Sequence, residues 1–308
     1  MLDGYRRLPG GRVSRRSFLF GALALSGAWP LRAHAAAPAD EPFSFYFPTP
    51  QATVQRMLEL ARVTADDFVI DLGSGDGRIV IAAAKQYGAR GLGIDIDAAL
   101  VEKSIAEAKR QKLTDRVRFE VGDVVAADLT RASVVTLFLL PTLIARVQPK
   151  LLSELKPGAR IVTHEFPLAD WPPDETLILY APTRNAGSGG DSTLRLWTVP
   201  ANFGGDWQGR VDGEQSEALL FSITQRYQRA SGALRRGAQL LPLTNVSVTG
   251  AAFAFTYSID GTEHHVAARL SGDVLSGAVR MQRGASEHSL KFSARRVSAQ
   301  PSIASLAR

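Results

Sequence analysis

Apolar positions along the chain keep two different rhythms, and the change comes near residue 200. In the first part, helical spacing alternates with short continuous apolar runs. Val54, Met57, Leu58, Leu60 and Ala61 fall on one helix face. Phe68–Leu72 is a short apolar run ending at glycines, as expected of a parallel strand buried on both faces. Ile79 to Gln86 predicts a helix closed by Gly88, and Gly91 to Asp95 a second strand. Asp97 can cap the next helix, Ala98 to Lys112, which carries Leu100, Val101, Ile105 and Ala108 on one face. Strands over 117–121 and 133–140 follow. Pro141 ends the second of these, 143–155 suits a helix, and Gly158 turns the chain into a strand over 160–164. Strands alternating with helices predict an α/β fold with a doubly wound, Rossmann-like parallel sheet.

After Pro200 the period becomes two. Leu219, Phe221 and Ile223 alternate with Leu220, Ser222 and Thr224, and Phe253, Phe255 and Tyr257 with Ala252, Ala254 and Thr256. Asp260-Gly261 marks a hairpin turn before 263–270, and Leu290, Phe292 and Ala294 alternate in the last run. This predicts a smaller all-β domain over 201–308, a lipocalin-like barrel or curled sheet of up-and-down strands. His264 and His265 are adjacent on a strand and point to opposite faces. They have no evident third ligand, so no metal site is expected. Trp171, Trp197 and Trp207 read as core or domain-packing residues, and the Arg235-Arg236 and Arg295-Arg296 pairs as solvated.

Charge changes the picture at one end. The 308 residues carry a formal net charge of +6 and no cysteine, which excludes disulfides, thiolate metal sites and cysteine nucleophiles. The first 35 residues hold six arginines and one acid, and the remainder carries 30 basic and 29 acidic residues. Without a basic face there is no electrostatic footprint for nucleic acid. Ser14-Arg15-Arg16-Ser17-Phe18-Leu19, a short apolar run to Leu31 and Ala33-His34-Ala35 form a twin-arginine export signal. The expected consequences are engagement of the twin-arginine machinery, cleavage after Ala35 and a periplasmic or otherwise exported protein. An uncleaved N-terminal membrane anchor is the alternative. Residues 36–45 read as a linker before a domain over 46–200.

The chemistry sits between the first two strands. Asp71 ends a strand, Gly73, Gly75 and Gly77 form a sharp turn, and a helix follows. Asp95 ends the next strand 24 residues later, where an acid accepts hydrogen bonds from ribose hydroxyls. Asp71 before the glycines and Asp76 among them would repel a pyrophosphate and disfavour a nicotinamide cofactor. They suit a ligand bearing an ammonium and a sulfonium, which points to S-adenosylmethionine.

Val69-Ile70-Asp71-Leu72-Gly73-Ser74-Gly75-Asp76-Gly77 resembles motif I of class I S-adenosylmethionine-dependent methyltransferases, and Gly122-Asp123 their adenine-contacting motif. Phe47-Pro48-Thr49-Pro50, the run Arg56 to Ala61, Asp71 to Val80 and Val134 to Pro141 extend the likeness over roughly residues 43–175. That stretch resembles bacterial relatives of the mitochondrial protein-lysine methyltransferases, including those acting on the ATP synthase c-subunit. The resemblance implies that Asp71, Gly73, Gly75 and Gly77 hold the amino-acid part of the donor, Asp95 the ribose and Asp123 the adenine, with Tyr46 and Thr49 over the donor. It implies a protein-lysine acceptor, small membrane proteins among them. His164 and Glu165, ending the fifth strand, are the candidates to help the lysine lose its proton. The competing reading is an exported, non-catalytic binding protein that keeps a methyltransferase fold, with the β-barrel as its functional module.

Overall fold

The computed structural model describes residues 46–182, 189–212 and 218–300. The expected export signal over 1–35 and the linker over 36–45 lie outside the described residues. Seven strands form the first sheet: β1 (Phe68–Leu72), β2 (Arg90–Asp95), β3 (Val117–Val121), β4 (Val134–Leu137), β5 (Arg160–His164), β6 (Glu175–Tyr180) and β7 (Asp191–Thr198). Their order is β3-β2-β1-β4-β5-β7-β6. The first five are parallel, and β7 and β6 run antiparallel. The sheet is therefore mixed rather than wholly parallel. The alternation of strands and helices ends at β5, because the next strands lack crossover helices: β6 and β7 form a hairpin added to an edge. The chain reverses direction in order between β1 and β4, so ligands belong at the carboxyl ends of those strands.

The helices are α1 (Gln51–Leu60), α2 (Arg78–Tyr87), α3 (Ala98–Arg110) and α4 (Pro141–Glu154). Gly88 closes α2 in the left-handed conformation, φ 73°, and Asp97 caps α3 by accepting from the amides of Ala99 and Leu100 at 2.9 and 3.2 Å. Both are as the sequence predicts. The fourth strand is shorter than expected and α4 starts earlier. Proline's fixed φ and missing N–H suit a first helical position, so Pro141 opens the helix. Alternation along the strands buries both sheet faces. Ile70, Leu72, Val135, Leu137 and Ile161 pack with Ile144, Val147 and Leu151 of α4 on one face. Val69, Val134, Val162, Leu194 and Leu196 pack with Val54, Met57 and Leu58 of α1 on the other.

The second sheet has nine antiparallel strands: β8 (Gly205–Val211), β9 (Leu219–Arg226), β10 (Arg229–Arg236), β11 (Gln239–Pro242), β12 (Thr244–Thr249), β13 (Ala252–Ile259), β14 (Thr262–Ser271), β15 (Val274–Arg283) and β16 (Ser286–Ala299). They pair up-and-down, and β16 pairs back onto β8. The ring is open only between the consecutive strands β11 and β12, where the Leu243 amide donates to the Gly232 carbonyl at 2.9 Å. This is the nearly closed barrel the two-residue period predicts. The inward residues, Trp207, Phe221, Phe253, Phe255, Tyr257, Val266, Val279 and Phe292 among them, fill it. His264 and His265 do face opposite ways: His264 is buried and stacks on Tyr257 at 4.5 Å, while His265 lies outside near Glu263.

Arg296 departs from expectation. It continues the inward parity of Phe292 and Ala294 opposite Trp207, before the bulge that separates it from Ser298, and lies over the Trp207 ring at 4.3 Å, where it donates to the carbonyls of Gly204 and Asn202. Trp171, Trp197 and Trp207 are core residues as predicted. Trp171 also joins the two sheets. Its ring stacks on Tyr227, in the β9–β10 turn, at 5.3 Å and 7°, and its indole N–H donates to Gln228.

Candidate active site

The first residues of the site lie on the carboxyl ends of β1 and β2. After β1 the chain turns through Gly73, Gly75 and Gly77 at φ 78°, 53° and 77°, a conformation that only glycine adopts without strain. The amides of Gly73 and Ser74 donate to the Ile94 carbonyl at 2.8 and 3.0 Å, which ties the loop to β2. Asp95 completes the tie: its Oδ2 accepts from the Gly75 amide at 2.7 Å and its Oδ1 from the Asp97 amide at 3.0 Å. The Gly122 amide donates to the Asp95 carbonyl at 2.9 Å, bringing Gly122-Asp123 alongside. Asp123 is half-exposed, with Arg146 at 3.9 Å.

Asp71 is 2% exposed, and the Thr136 hydroxyl donates to its Oδ1 at 2.7 Å. Burial pushes its carboxyl up to about 7; the Thr136 hydrogen bond opposes the rise, while the charges of Asp95 and Asp76 add to it. A cation bound beside Asp71 would favour the ionised carboxylate.

Asp76 has a different part from the one its position suggests. Arg78 grips it with two hydrogen bonds, Nε to Oδ1 at 2.8 Å and Nη2 to Oδ2 at 2.7 Å, with Lys103 at 3.7 Å. Burial raises the carboxyl, but these contacts win and hold it below the usual carboxylate range. Asp76 is therefore spent on Arg78, and the preference for a cationic ligand rests on Asp71 and Asp95. Arg78 also donates to the Thr49 carbonyl at 2.8 Å and to the Tyr46 hydroxyl at 3.4 Å. It clips residues 46–50 across the loop, where Tyr46 covers Gly75: a Cβ built there would lie 2.5 Å from the ring. Tyr46 and Thr49 thus lie beside the glycine turn, held there by Arg78.

His164 is 2% exposed and belongs to a polar cluster beneath α1. Its Nδ1 lies 3.3 Å from the Thr49 hydroxyl, and its Nε2 lies 3.1 Å from the Ser192 hydroxyl and 3.2 Å from Glu165 Oε1. The Phe138 ring sits 4.2 Å away, centroid to centroid. Glu165 is held at φ 69°, accepts from the Thr193 amide at 3.2 Å, and keeps a side chain 20% exposed. Of the two proton-acceptor candidates, Glu165 is the one solvent reaches, while both nitrogens of His164 face protein groups. A cavity of 690 Å³ on the outer flank of α2 and α3 borders Asp76 and Arg78 but touches none of Asp71, Gly73, Gly75 and Asp95.

All the residues expected to hold a donor thus come to one end of one sheet, with Thr49 bridging the glycine loop and the His164 cluster. Sequence reasoning missed three. Arg78 carried no signal, because its partners Tyr46 and Thr49 are about thirty residues away. Thr136 faces Asp71 only through strand register, Asp71 opposite Thr136. Ile96, 45% exposed immediately after Asp95, could have been found as an apolar residue where the strand has already ended.

Comparison with known proteins fits this geometry. Residues 71–175 match the family model described as the ANTKMT methyltransferase domain. Over 133 residues the chain is 42% identical to a protein-lysine N-methyltransferase of Saccharolobus islandicus, covering 43% of this chain and 83% of that protein. Over 129 residues it is 36% identical to the lysine N-methyltransferase of the ATP synthase c-subunit of Xenopus laevis, covering 42% of this chain and 56% of that one. The match thus spans about half the length of the Xenopus enzyme. An RNA methyltransferase structure from Salinibacter ruber with S-adenosyl-L-homocysteine aligns at 42% identity and a TM-score of 0.46, covering 56% of this chain and all of that one.

Proposed function

This chain belongs to the protein-lysine methyltransferase family, with S-adenosylmethionine as its donor, and from that premise we propose that it methylates a lysine amine on a protein acceptor, a small membrane protein being the substrate class its relatives suggest. The observation that carries the reading is Asp71, a buried carboxyl beside the glycine turn to which, among the described residues, no cation of the protein is hydrogen-bonded. The residues present fit the donor. Asp71 offers charge to an ammonium, Asp95 holds the loop and lies where ribose hydroxyls are accepted, and Ile96 and Asp123 flank the adenine side. The donor supplies an electrophilic methyl group on a sulfonium. The protein's part is positioning and electrostatics: Tyr46 and Thr49 cover the loop, Thr49 and Ser192 fix His164, and Glu165 receives the incoming ammonium and takes its proton, leaving a neutral amine whose lone pair can accept the methyl group.

Asp95→Ala is expected to weaken S-adenosylhomocysteine binding by about 1.5–3 kcal/mol through lost charge-assisted hydrogen bonds. NAD should not bind either form. Isothermal calorimetry showing equal affinity in Asp95→Ala and wild type would sink the ribose assignment. Thermal melting of both empty proteins separates that loss from collapse of the Gly75 loop, which Asp95 also holds.

We also propose that the chain is exported, on the strength of Arg15-Arg16, the apolar run and Ala33-His34-Ala35. N-terminal sequencing of the protein recovered outside the cytoplasm should begin at Ala36. Full-length chain confined to the cytoplasm overturns this.

A further inference from the structure

The two edges of the seven-stranded sheet are built differently. The β3 edge is guarded by Arg118 and Glu120, both exposed. Charged outward side chains are a usual protection against strand addition. The β6 edge has no such guard between Thr176 and Tyr180: no Lys, no Arg, no Pro and no bulge against β7.

The register shows what that edge offers. Ile178 lies opposite Thr193. Thr193 turns its N–H and C=O the other way, to the Glu165 carboxylate and the Glu165 amide. The Ala181 amide, by contrast, donates to the Gly190 carbonyl of the β7 side. In an antiparallel pair these directions alternate, so residues 177 and 179 bond to β7 while the N–H and C=O of Thr176, Ile178 and Tyr180 point off the sheet. The same three residues share one face. Leu177 and Leu179 pack toward α1, whereas Ile178 and Tyr180 are each 64% exposed. Among the described residues, the edge therefore presents a row of main-chain groups beside an apolar face that nothing covers. Its Tyr180 end is the end of the sheet that carries His164 and Glu165, because Ile178, Thr193 and Glu165 lie in one line across the strands.

We propose that this edge captures an extended segment of the acceptor protein as an eighth strand, a mode in which main-chain hydrogen bonds give affinity and alternate side chains give selectivity. The occupant is the acceptor because the Tyr180 end of the edge lies level with Glu165 at the reaction end of the sheet; this identification rests on the lysine-methyltransferase reading. An added strand would stand four strand spacings from β4, about 19 Å at ~4.8 Å each, which an extended chain covers in about six residues. The methylated lysine therefore lies six or more residues beyond the docked segment, not within it.

Ile178→Pro tests this with little damage, since it removes an N–H that bonds to nothing in β7 and edge strands tolerate proline. Ile178→Thr keeps the N–H and serves as the control. The probe is a fluorescent synthetic peptide with an alternating Val-Thr segment and one lysine about eight residues away. Fluorescence anisotropy should show at least tenfold weaker binding to Ile178→Pro than to wild type. Ile178→Thr should fall within about threefold, and S-adenosylhomocysteine affinity should be equal in all three. Equal peptide affinity in Ile178→Pro and wild type overturns the proposal. So does sedimentation showing a wild-type dimer that Ile178→Pro dissolves, because the edge would then belong to a second copy. Peptide that binds at β6 without receiving a methyl group leaves strand addition standing and counts against the lysine reading instead.

Discussion

Donor affinity should rise about tenfold per pH unit up to about pH 7 and level off above it, and Asp71→Asn should flatten that profile while weakening binding by about 1.5–3 kcal/mol. The cause is the buried carboxyl of Asp71, pushed up to about 7. A donor carrying an ammonium selects the ionised form, so below pH 7 binding must first expel a proton. The sign for the empty protein is opposite. A carboxyl whose folded pKa is raised stabilises the fold below its unfolded value, near 3.8, and that stability is lost as pH rises through 7. At about 1.4 kcal/mol per pKa unit, ionised Asp71 is a liability of roughly 4 kcal/mol in the empty site. The empty wild type should therefore melt lower at pH 8 than at pH 5, Asp71→Asn should not, and donor should stabilise wild type most at the higher pH. Calorimetry and thermal melting at several pH values read both effects. A wild-type affinity independent of pH between 5 and 8 contradicts the role given to Asp71.

Trp171→Ala should destabilise the protein by about 3–5 kcal/mol, the range for removing a fully buried large aromatic. Trp171 is 1% exposed, stacks on Tyr227, meets Trp197 edge-on at 6.4 Å and donates to Gln228, which itself donates to the Pro172 carbonyl at 2.6 Å. Tyr227 comes from the second sheet but is buried with Trp171, Trp197 and Val199 of the first. We propose 46–200 and 201–308 as separate domains joined at this contact. A chain ending at Ala201 should keep the complete seven-stranded sheet and lose stability comparable to Trp171→Ala, because Trp171 then faces solvent. Urea unfolding of the three proteins measures this. A Trp171→Ala loss under about 1 kcal/mol would mean the junction relaxes at little cost.

Periodicity made the parallel strands and the barrel legible because both are driven by local burial patterns. Phe68–Leu72 had to be a buried strand, and Phe253, Phe255 and Tyr257 had to face one side of a sheet. The hairpin β6–β7 was not legible. Leu177, Ile178 and Leu179 form a continuous apolar run although Ile178 ends up exposed, since the uncovered face at an edge leaves no mark on the alternation. The site divides the same way. Asp71, the three glycines and Asp95 are close in sequence to the strand ends that position them. The Arg78 clip on Tyr46 and Thr49 and the Thr49–His164–Ser192 contacts join segments 28 to 115 residues apart, and only folding reveals them. Position alone also misassigned Asp76, whose charge goes to Arg78 two residues away. The inward place of Arg296 follows from the parity of Phe292 and Ala294, but its acceptors, the carbonyls of Gly204 and Asn202, are more than ninety residues away and only folding reveals them.

The central claim is methyl transfer to lysine, and transfer of label from S-adenosyl-[methyl-³H]methionine tests it most directly. Purified protein is incubated with membrane-protein and soluble-protein fractions, and the acceptors are hydrolysed to amino acids. The account predicts tritium in N-methyl-lysines from wild type, and at least tenfold less of it from Asp71→Asn at donor concentrations below saturation. Label in another amino acid, or no transfer from a wild type that binds the donor, would contradict it.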